Sequence, residues 1–307
     1  MLSHPQTLLP PPDDAGALEL RKGVYLFKID GFALSRALYP WCSLRDFGYR
    51  GVCAAASDVI AKGCRPCIAM VSIGLPPKYR EFMDDVVEGV LEAAKDLHIW
   101  IENMDTNAGD DGWIDVALIA ECPSKPIPRY ARPGAIVVLA DRVGLGGAAY
   151  FSYVRGERPL SPAVALHACR PIRVLKLLEV APRLRYYGVM GSIDISDTLY
   201  EALTQLLEKN GVGLYIDADP SHVLSLDALA EAQRHGINAL RLLMTTAEEY
   251  IPILVVDPSH LDSLLEALRS VGLSPGVLGY VTSARGLTYR GAEVSHTCWN
   301  HFIGSIV

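Results

Sequence analysis

Three prolines lie within six residues near the middle of the chain, at positions 123, 126 and 128. Proline has no backbone N–H, so it cannot continue a helix or lie in a central strand, and this segment is predicted to be a linker. The sequence of 307 residues is long enough for the part on each side of the linker to bury a core of its own. We therefore predict two domains, residues 1–124 and residues 125–307.

Strand-like and helix-like runs alternate on both sides of this linker. In the N-terminal half we predict strands at residues 23–30, 67–76, 99–101 and 113–120 and helices at residues 46–62 and 79–97. The C-terminal half opens with the apolar run 135–140 and continues as alternating strands and helices. The pattern predicts an α/β (α+β) fold with a small mixed N-terminal sheet and a larger C-terminal α/β sandwich.

A glycine-rich run occupies residues 144–149 of the C-terminal half. Its spacing differs from the Gly-x-Gly-x-x-Gly pattern of a dinucleotide loop, and no suitable acidic residue follows at the required distance. We interpret the run as close packing of a helix on a strand.

Charge and hydropathy limit the classes of function. The chain has 28 basic and 35 acidic residues, a formal net charge of −7, without a basic stripe interleaved with aromatic residues. This composition argues against nucleic acid as a partner. No apolar run approaches the roughly 20 residues of a membrane span, and the first residues do not read as a secretory signal. We expect no membrane partner and a cytoplasmic location.

The seven cysteines are scattered along the chain and do not form the even framework of a small secreted domain. We expect most of them to be reduced and buried. Cys64 and Cys67 have the spacing of a redox motif, but they follow a helix-like run and have no second pair to complete a zinc site. Their role stays open at this point.

Aspartates recur at or near the ends of the predicted elements. They are Asp13 and Asp14, Asp30, Asp58, Asp105, and Asp194 with Asp197. Carboxylates in such a layout commonly hold Mg²⁺, which can bridge them to the phosphate oxygens of a ligand. We expect these separate clusters to assemble into one site for metal ions and phosphates.

The acids belong to an ordered series of motifs that covers nearly the whole chain. The series is Asp13-Asp14-Ala15, Asp30, Ser57-Asp58, Gly74-Leu75-Pro76, Asp105-Thr106, Arg129, Arg132-Pro133-Gly134, Arg170-Pro171-Ile172-Arg173, Asp194-Ile195-Ser196-Asp197 and Trp299-Asn300-His301-Phe302. It resembles the ATP-using superfamily of aminoimidazole ribonucleotide synthetase, selenophosphate synthetase, a hydrogenase maturation protein and thiamine-monophosphate kinase. The Asp-Ile-Ser-Asp motif and the His-Phe pair are most similar to the kinase.

The resemblance implies phosphoryl transfer from ATP to the phosphate of thiamine monophosphate, which gives thiamine diphosphate and ADP. Mg²⁺ would neutralise charge and align the attack, and no covalent enzyme intermediate is needed. A phosphate acceptor is already ionised near neutral pH, so a dedicated general base is dispensable. The resemblance also implies a homodimer in which two N-terminal sheets join edge to edge into a barrel.

Individual roles follow from the resemblance, motif by motif. The implied metal ligands are Asp13, Asp14, Asp30, Asp58, Asp105 and Asp197. The residues implied to bind ATP and thiamine monophosphate are Asp105, Thr106, Arg129, Ser196, Glu248, Trp299 and Phe302. Asp197 and Arg129 are predicted to act in catalysis, and the two aromatic residues could stack on the thiamine rings.

The chain departs from the family pattern where the relatives have glycine beside phosphates. Pro12, Asn103-Met104, Thr198 and Thr245-Thr246 occupy those positions here. Glycine permits positive φ and close approach of the backbone to a ligand, so these changes bear on the phosphate cradle. Two alternatives stay open: a related ATP-dependent ligase or synthetase with another acceptor, and a diverged paralogue without catalytic activity.

Overall fold

The computed structural model describes residues 7–9, 16–20, 23–294, 298–300 and 305–306. Its contacts divide the chain into two compact units. The first unit comprises Met1–Pro126 and Ala168–Pro182, and the second comprises Ile127–His167 and Arg183–Val307. The first change of unit lies next to the predicted boundary at residues 124–125, whereas residues 168–182, which we placed in the second domain, cluster with the first unit.

In the first unit, the described strands form a six-stranded mixed sheet. The strands are β1 (Thr7–Leu9), β2 (Gly16–Leu20), β3 (Gly23–Ala33), β4 (Arg65–Leu75), β5 (Trp100–Ala108) and β6 (Trp113–Cys122). Their order in the sheet is β1-β2-β3-β6-β4-β5, and β4 and β5 run parallel to each other. The predicted fold class, mixed α/β, is confirmed.

Three helices of the first unit precede its last strand: α1 (Leu34–Ala37), α2 (Leu44–Ala61) and α3 (Met83–Asp96). Helix α2 begins with a capping box, in which the Ser43 hydroxyl accepts the Asp46 N–H and the Asp46 carboxylate accepts the Ser43 N–H. It ends before Gly63, which has φ of 76°, as the sequence predicts. Helix α2 packs on β3, β4 and β6 and covers one face of the sheet, where Leu26 is fully buried.

Helices α2 and α3 pack at very short range because each has a glycine at the crossing. A Cβ atom on Gly48 would lie 2.1 Å from the carbonyl oxygen of Val86, and one on Gly89 would lie 1.9 Å from that of Arg45. We predicted a single helix over residues 79–97. The structure has a 3-10 turn at Pro77–Phe82 before α3, and Pro77 fits the first position of this turn, where a backbone N–H would have no partner within the turn.

Two predicted strand ends lie inside longer strands. Asp30 does not end its strand, because pairing of β3 with β6 continues as far as Ala33 opposite Trp113. Asp105 does not follow a short strand at 99–101, because parallel pairing with β4 extends β5 to Ala108. Both acids are therefore held by ladder hydrogen bonds rather than by loops.

In the second unit, the described strands form a seven-stranded sheet and a separate two-stranded one. The strands are β7 (Ile136–Leu139), β8 (Val189–Asp194), β9 (Gly213–Ile216), β10 (Pro252–Val256), β11 (Gly276–Thr282), β12 (Gly286–Tyr289), β13 (Ala292–Glu293), β14 (Trp299–Asn300) and β15 (Ser305–Ile306). The larger sheet has the order β13-β12-β9-β11-β7-β10-β8. Every residue of β10 is buried, which accounts for its unbroken apolar sequence.

The remaining described helices are α4 (Leu145–Tyr153), α5 (Pro162–Cys169), α6 (Arg173–Lys176), α7 (Leu199–Glu208), α8 (Pro220–Val223), α9 (Leu226–Arg234), α10 (Ala239–Thr245) and α11 (Leu261–Ser270). Helices α7, α9 and α11 carry buried alanine and leucine side chains at helical spacing. Among the described helices, none is long and apolar enough to cross a membrane.

Our prediction that most cysteines are reduced is wrong, because the structure contains two disulfides. Cys42 pairs with Cys169 and Cys64 pairs with Cys122. The spacing of Cys64 and Cys67 is therefore not a redox pair, since the partner of Cys64 comes from the end of β6. Cys53, Cys67 and Cys298 carry thiols, and burial raises the pKa of the Cys53 thiol well above its ordinary value.

The disulfide between Cys42 and Cys169 attaches residues 168–182 to the first unit, and an ion-pair cluster does the same. Arg170 lies 2.5 Å from a carboxylate oxygen of Asp46 and 3.1 Å from one of Glu92. Burial alone would raise the pKa of Asp46, but the hydrogen bonds from Arg170 and Ser43 hold it below its ordinary value of 3.8.

Candidate active site

The first unit brings two of the predicted acids together around a lysine. Lys28 and Asp30 are two residues apart on β3 and therefore point to the same face of the sheet. Asp58, on the helix α2 that covers this face, is 3% exposed. The Lys28 ammonium lies 2.8 Å from Oδ2 of Asp58 and 3.5 Å from Oδ2 of Asp30. The other Asp30 oxygen accepts the N–H of Gly31 at 2.8 Å.

Asp105 does not join this pair. The register of the sheet places Asp105 opposite Ser72, Ser72 opposite Asp115, and Asp115 opposite Gly31. Residues that pair directly across strands point to the same face, so Asp105 lies on the face opposite to Asp30 and Lys28. The adjacent Thr106 is exposed, and the Asp105 carboxylate accepts a hydrogen bond from Asn107 at 3.3 Å.

The described acids of the first unit do not fit a resident divalent ion. No group of three or more His, Cys, Asp or Glu side chains that could hold a metal ion occurs in the part of the chain that the structure describes. Two of the predicted ligands, Asp30 and Asp58, face the ammonium of Lys28 instead. Asp13 and Asp14 lie outside the described residues, so their predicted role stays a prediction.

The second unit brings together Ser196, Asp197 and Glu248 by joining two loops. Strand β8 ends at the buried Asp194, and the half-buried Ser196 and Asp197 follow before helix α7. The carbonyl oxygen of Ser196 accepts the N–H of Glu248 at 2.8 Å. The carbonyl oxygen of Ile195 accepts the N–H groups of the next two residues, 249 and 250, at 2.9 and 3.0 Å.

The loop at residues 246–250 has an unusual backbone. Glu248 and Tyr250 have φ of 54° and 52°, in the left-handed region that side chains other than glycine rarely adopt. The ring Nε2 of His167 lies 3.0 Å from the Glu248 carbonyl oxygen. Glu248 itself is half-buried. Backbone strain of this kind costs on the order of 1–3 kcal/mol and persists only where the surroundings fix the conformation.

A fully buried carboxylate fixes this loop. Oε1 of Glu249 accepts the backbone N–H groups of Gly144 at 2.8 Å and Gly146 at 3.0 Å, and it also accepts the hydroxyl of Thr246. The two amides belong to the start of helix α4, where the positive end of the helix dipole favours a negative charge. His167 Nε2 lies 3.9 Å from the second carboxylate oxygen.

We interpreted the glycine-rich run as close packing of a helix on a strand. The packing is close, but the helix packs on a loop and not on a strand. A Cβ atom on Gly146 would lie 1.8 Å from the carbonyl oxygen of Ala247, and one on Gly147 would lie 2.9 Å from Cα of Thr246. The absence of side chains at these glycines therefore allows the backbone of the loop at residues 246–250 to pack directly against the start of helix α4. Gly144 caps the helix with φ of 109°, which explains the glycine at that position.

Trp299 is anchored beside the start of helix α7. Its backbone N–H is donated to Glu201 at 2.8 Å, and Glu201 also forms a capping box with Thr198, the residue after Asp197. The indole packs edge-on against Tyr150, with ring centroids 5.9 Å apart. Strand β14 thus places Trp299 within one helical turn of the Ser196–Asp197 loop. Phe302 lies outside the described residues.

Arg129 belongs to the segment that runs along the edge strand β8. The adjacent Pro128 carbonyl accepts the N–H of Ser192 at 3.0 Å, and Asn210 donates to the Arg129 carbonyl at 3.4 Å. Gly191 makes this approach possible, because a Cβ atom there would lie 1.7 Å from the Tyr130 carbonyl oxygen. Arg129 is half-buried, and its predicted contact with phosphate stays a prediction.

The sequence analysis missed four residues that organise these sites: Lys28, His167, Glu201 and Glu249. For Glu201 a signal was present, because Thr198 followed by Glu201 is the spacing of a capping box. Lys28 stands two residues before Asp30 in an otherwise apolar strand. This spacing indicates that its charge lies on the same face of the sheet as Asp30, and a charge that is buried there requires an ion-pair partner. Nothing local in the sequence marks Glu249 as the acceptor for the amides of Gly144 and Gly146, or His167 as a neighbour of the loop at residues 246–250.

Two family models match the chain almost end to end. The N-terminal domain of AIR synthase related protein matches residues 12–121, and the C-terminal domain of AIR synthase related protein matches residues 132–291. Thiamine-monophosphate kinase from Pyrobaculum calidifontis is 28% identical over 280 residues, which cover 90% of this chain and 87% of that protein.

Solved structures show the same architecture. Protein tt0281 from Thermus thermophilus is 33% identical, with a TM-score of 0.85 over 95% of this chain and 94% of that chain. The structure of AaThiL complexed with AMPPCP and TMP is 20% identical, with a TM-score of 0.81 over 94% of this chain and 91% of that chain. At 20% identity, the second likeness concerns the fold alone.

Proposed function

Because the chain belongs to the AIR synthase related protein family, and is thiamine-monophosphate kinase-like within it, we propose that it transfers the terminal phosphoryl group of ATP to the phosphate of thiamine monophosphate. In this reaction an acceptor phosphate oxygen forms a bond to the γ-phosphorus, and the bond to the bridging oxygen breaks to release ADP. The product is thiamine diphosphate. Several curated relatives are thiamine-monophosphate kinases, at 22–28% identity.

The observation that carries the proposal is the pair of joined loops in the second unit. Backbone hydrogen bonds between residues 195–196 and 248–250 hold Ser196, Asp197 and Glu248 together in a half-buried setting. Preorganised polar groups of this kind suit a reaction that depends on positioning and charge stabilisation more than on covalent catalysis. The relative AaThiL has been seen with the ATP analogue AMPPCP and with TMP.

Roles for this chain's residues follow from their chemistry. The Ser196 hydroxyl can donate to a phosphate oxygen, and the Arg129 guanidinium can pair with one through two N–H groups. Trp299 offers a flat ring beside the same loop for the thiamine heterocycles. The acceptor phosphate needs no deprotonation near neutral pH, so no residue has to act as a general base.

Magnesium enters this proposal as part of the substrate, because ATP is used as its Mg²⁺ complex. The carboxylates that face Lys28 do not fit a resident divalent ion, so no step is derived through one. Asp197 and Glu248 are the acids of the second unit that we propose to lie next to the Mg²⁺–nucleotide. Location in the cytoplasm stays a prediction.

The test is an assay of purified protein with Mg²⁺, ATP and thiamine monophosphate, with thiamine diphosphate measured by chromatography. We expect product in the wild type, its loss in Asp197→Asn, and normal rates in the control Asp262→Asn, an exposed acid in the first turn of α11. A wild type without product, but with Mg²⁺-dependent thermal stabilisation by ATP, would favour a related synthetase with another acceptor. Neither product nor stabilisation would favour the non-catalytic paralogue.

We further propose that the protein is a homodimer and that the face of the first sheet that α2 leaves uncovered is enclosed in its interface. Large apolar side chains are exposed there: Phe27, Ile29, Met70 and Trp100, with Trp100 76% exposed. The register sets them in two rows across the strands, Phe27–Ile119–Ile68–Trp100 and Ile29–Ala117–Met70–Asn103. A contiguous apolar surface of this kind is typical of an interface.

A further inference from the structure

Lys28 occupies a position where a charged residue is costly unless it is paired. In β3, the even-numbered residues face the covering helix, as the full burial of Leu26 shows, while Phe27 and Ile29 face the open side. The side chain of Lys28 is only 16% exposed, and that of its partner Asp58 is 4% exposed. Each charge of this buried ion pair stabilises the other, because either charge left alone would be buried without solvation.

The ammonium of Lys28 occupies the space beside both carboxylates, where a divalent ion that bridged Asp30 and Asp58 would lie. A Mg²⁺ ion bound to Asp58 requires a carboxylate oxygen about 2.1 Å away, and Oδ2 of Asp58 already has the Lys28 nitrogen at 2.8 Å. The same nitrogen lies 3.5 Å from Asp30, the second predicted metal ligand. Two cations cannot share this space, since their repulsion at such a distance is large in a poorly solvated site.

We propose that Lys28 is the resident cation of the Asp30–Asp58 pair and takes the place of a divalent ion there. The pair then binds no Mg²⁺ of its own, and the fixed ammonium supplies positive charge whose amount does not depend on the concentration of free Mg²⁺. The link of this subsite to phosphate transfer rests on the proposed function, but the identity of its cation does not.

Metal counting tests the inference without turnover. Mn²⁺ is titrated into the full chain, and free Mn²⁺ is followed by electron paramagnetic resonance. We expect Asp58→Asn to bind as many Mn²⁺ ions as the wild type, and Lys28→Met to bind one more. The double variant Lys28→Met/Asp58→Asn should return to the wild-type number. Lys95→Met, which removes an exposed lysine of α3, is the charge-matched control and should also match the wild type.

Two results would overturn the inference. Loss of one Mn²⁺ in Asp58→Asn, with Lys28 intact, would show that a metal ion binds Asp58 in the native chain. A folded Lys28→Met protein that gains no ion would show that the ammonium does not occupy a metal position. If Lys28→Met does not fold, the comparison of wild type with Asp58→Asn decides alone. A chain that passes these tests and makes no thiamine diphosphate would contradict the proposed function only.

Discussion

The amide nitrogen of Gly144 lies 2.8 Å from the buried carboxylate of Glu249, 105 residues further along the chain. Gly146 donates to the same oxygen at 3.0 Å, so one carboxylate satisfies two amides at the start of helix α4. This link fixes the loop at residues 246–250, and with it Glu248, against the strand end that carries Ser196. Glu249, which we do not place in contact with substrate, thereby positions Glu248, which we propose to lie next to the nucleotide.

Glu249→Ala should destabilise the protein by about 3 kcal/mol, because two buried amides and the Thr246 hydroxyl lose their acceptor. Glu248→Ala changes a half-buried neighbour of the same type and should cost less than about 1 kcal/mol, while it lowers the rate of thiamine diphosphate formation. Urea unfolding measures the first effect and the chromatographic assay the second. Equal losses of stability in the two variants would contradict the positioning role of Glu249.

Gly48→Ala should lower stability although alanine is the better helix former. A Cβ atom at this position in α2 would lie 2.1 Å from the backbone oxygen of Val86, and forcing the helices apart costs about 2 kcal/mol, more than the gain of up to about 1 kcal/mol in helix propensity. Gly51→Ala, in the same helix, meets the end of the Ile114 side chain at 2.6 Å. That side chain can move, so the loss should be smaller. Thermal unfolding of both variants gives the comparison, and a stabilised Gly48→Ala protein would refute the close crossing.

The disulfides predict the count of thiols. When the protein is unfolded in guanidinium without reductant, Cys53, Cys67 and Cys298 should react with Ellman's reagent, and all seven cysteines should react after reduction. In the folded protein Cys53 should stay unreactive, because it is buried and its pKa is raised. Seven reactive thiols before reduction would show that neither disulfide forms in solution.

Local sequence patterns predicted the main helices and strands of the first unit. They did not predict which distant residues pair with each other. The capping box at Ser43 and the stop at Gly63 are read within a few residues, so the bounds of α2 were predictable. The end of β3 was not, because its last residues are held by β6, which follows much later in the chain. The disulfide partner of Cys64 was also not predictable from local sequence, because only the pairing of β4 with β6 brings Cys122 next to Cys64.

The candidate site shows the same limit. Its acids were recognisable because their motifs are short and ordered along the chain. The cation beside Asp58 was not, because Lys28 and Asp58 meet only when helix α2 packs on β3. The hydrogen bonds from the start of α4 to Glu249 likewise depend on tertiary packing, which a single sequence does not encode locally.

A buried histidine gives the second unit a pH dependence. Nε2 of His235 lies 3.0 Å from the guanidinium of Arg234 and 3.0 Å from the hydroxyl of Ser152. Arginine can only donate, so Nε2 accepts and the neutral ring carries its proton on Nδ1. Burial, followed by the charges of Arg234 and Arg155, lowers the pKa of His235 from its ordinary 6.5, against the opposing effect of Glu231 and a second nearby glutamate.

A lowered folded pKa means that the unfolded chain binds the proton more readily. The contribution of His235 to stability is therefore complete above the ordinary value of 6.5 and is lost as the pH falls through it toward the folded pKa. The wild type should lose more free energy of unfolding between about pH 7.5 and about pH 5.5 than His235→Gln does. His222→Gln, at an exposed position, should behave as the wild type. Parallel curves for wild type and His235→Gln would exclude this histidine as the source.

The open face of the first sheet predicts the oligomeric state. Ile29 is 68% exposed in the middle of this face, and burial of a side chain of its size contributes about 2 kcal/mol to association at each copy. Ile29→Asp should therefore convert a dimer, with twice the 33.4 kDa mass of one chain, into monomers in sedimentation equilibrium. Leu91→Asp places the same charge on an equally apolar exposed position of α3, on the helical side of the sheet, and should stay dimeric. A wild type that sediments as a monomer, or dissociation caused equally by both variants, would contradict the assignment of this face.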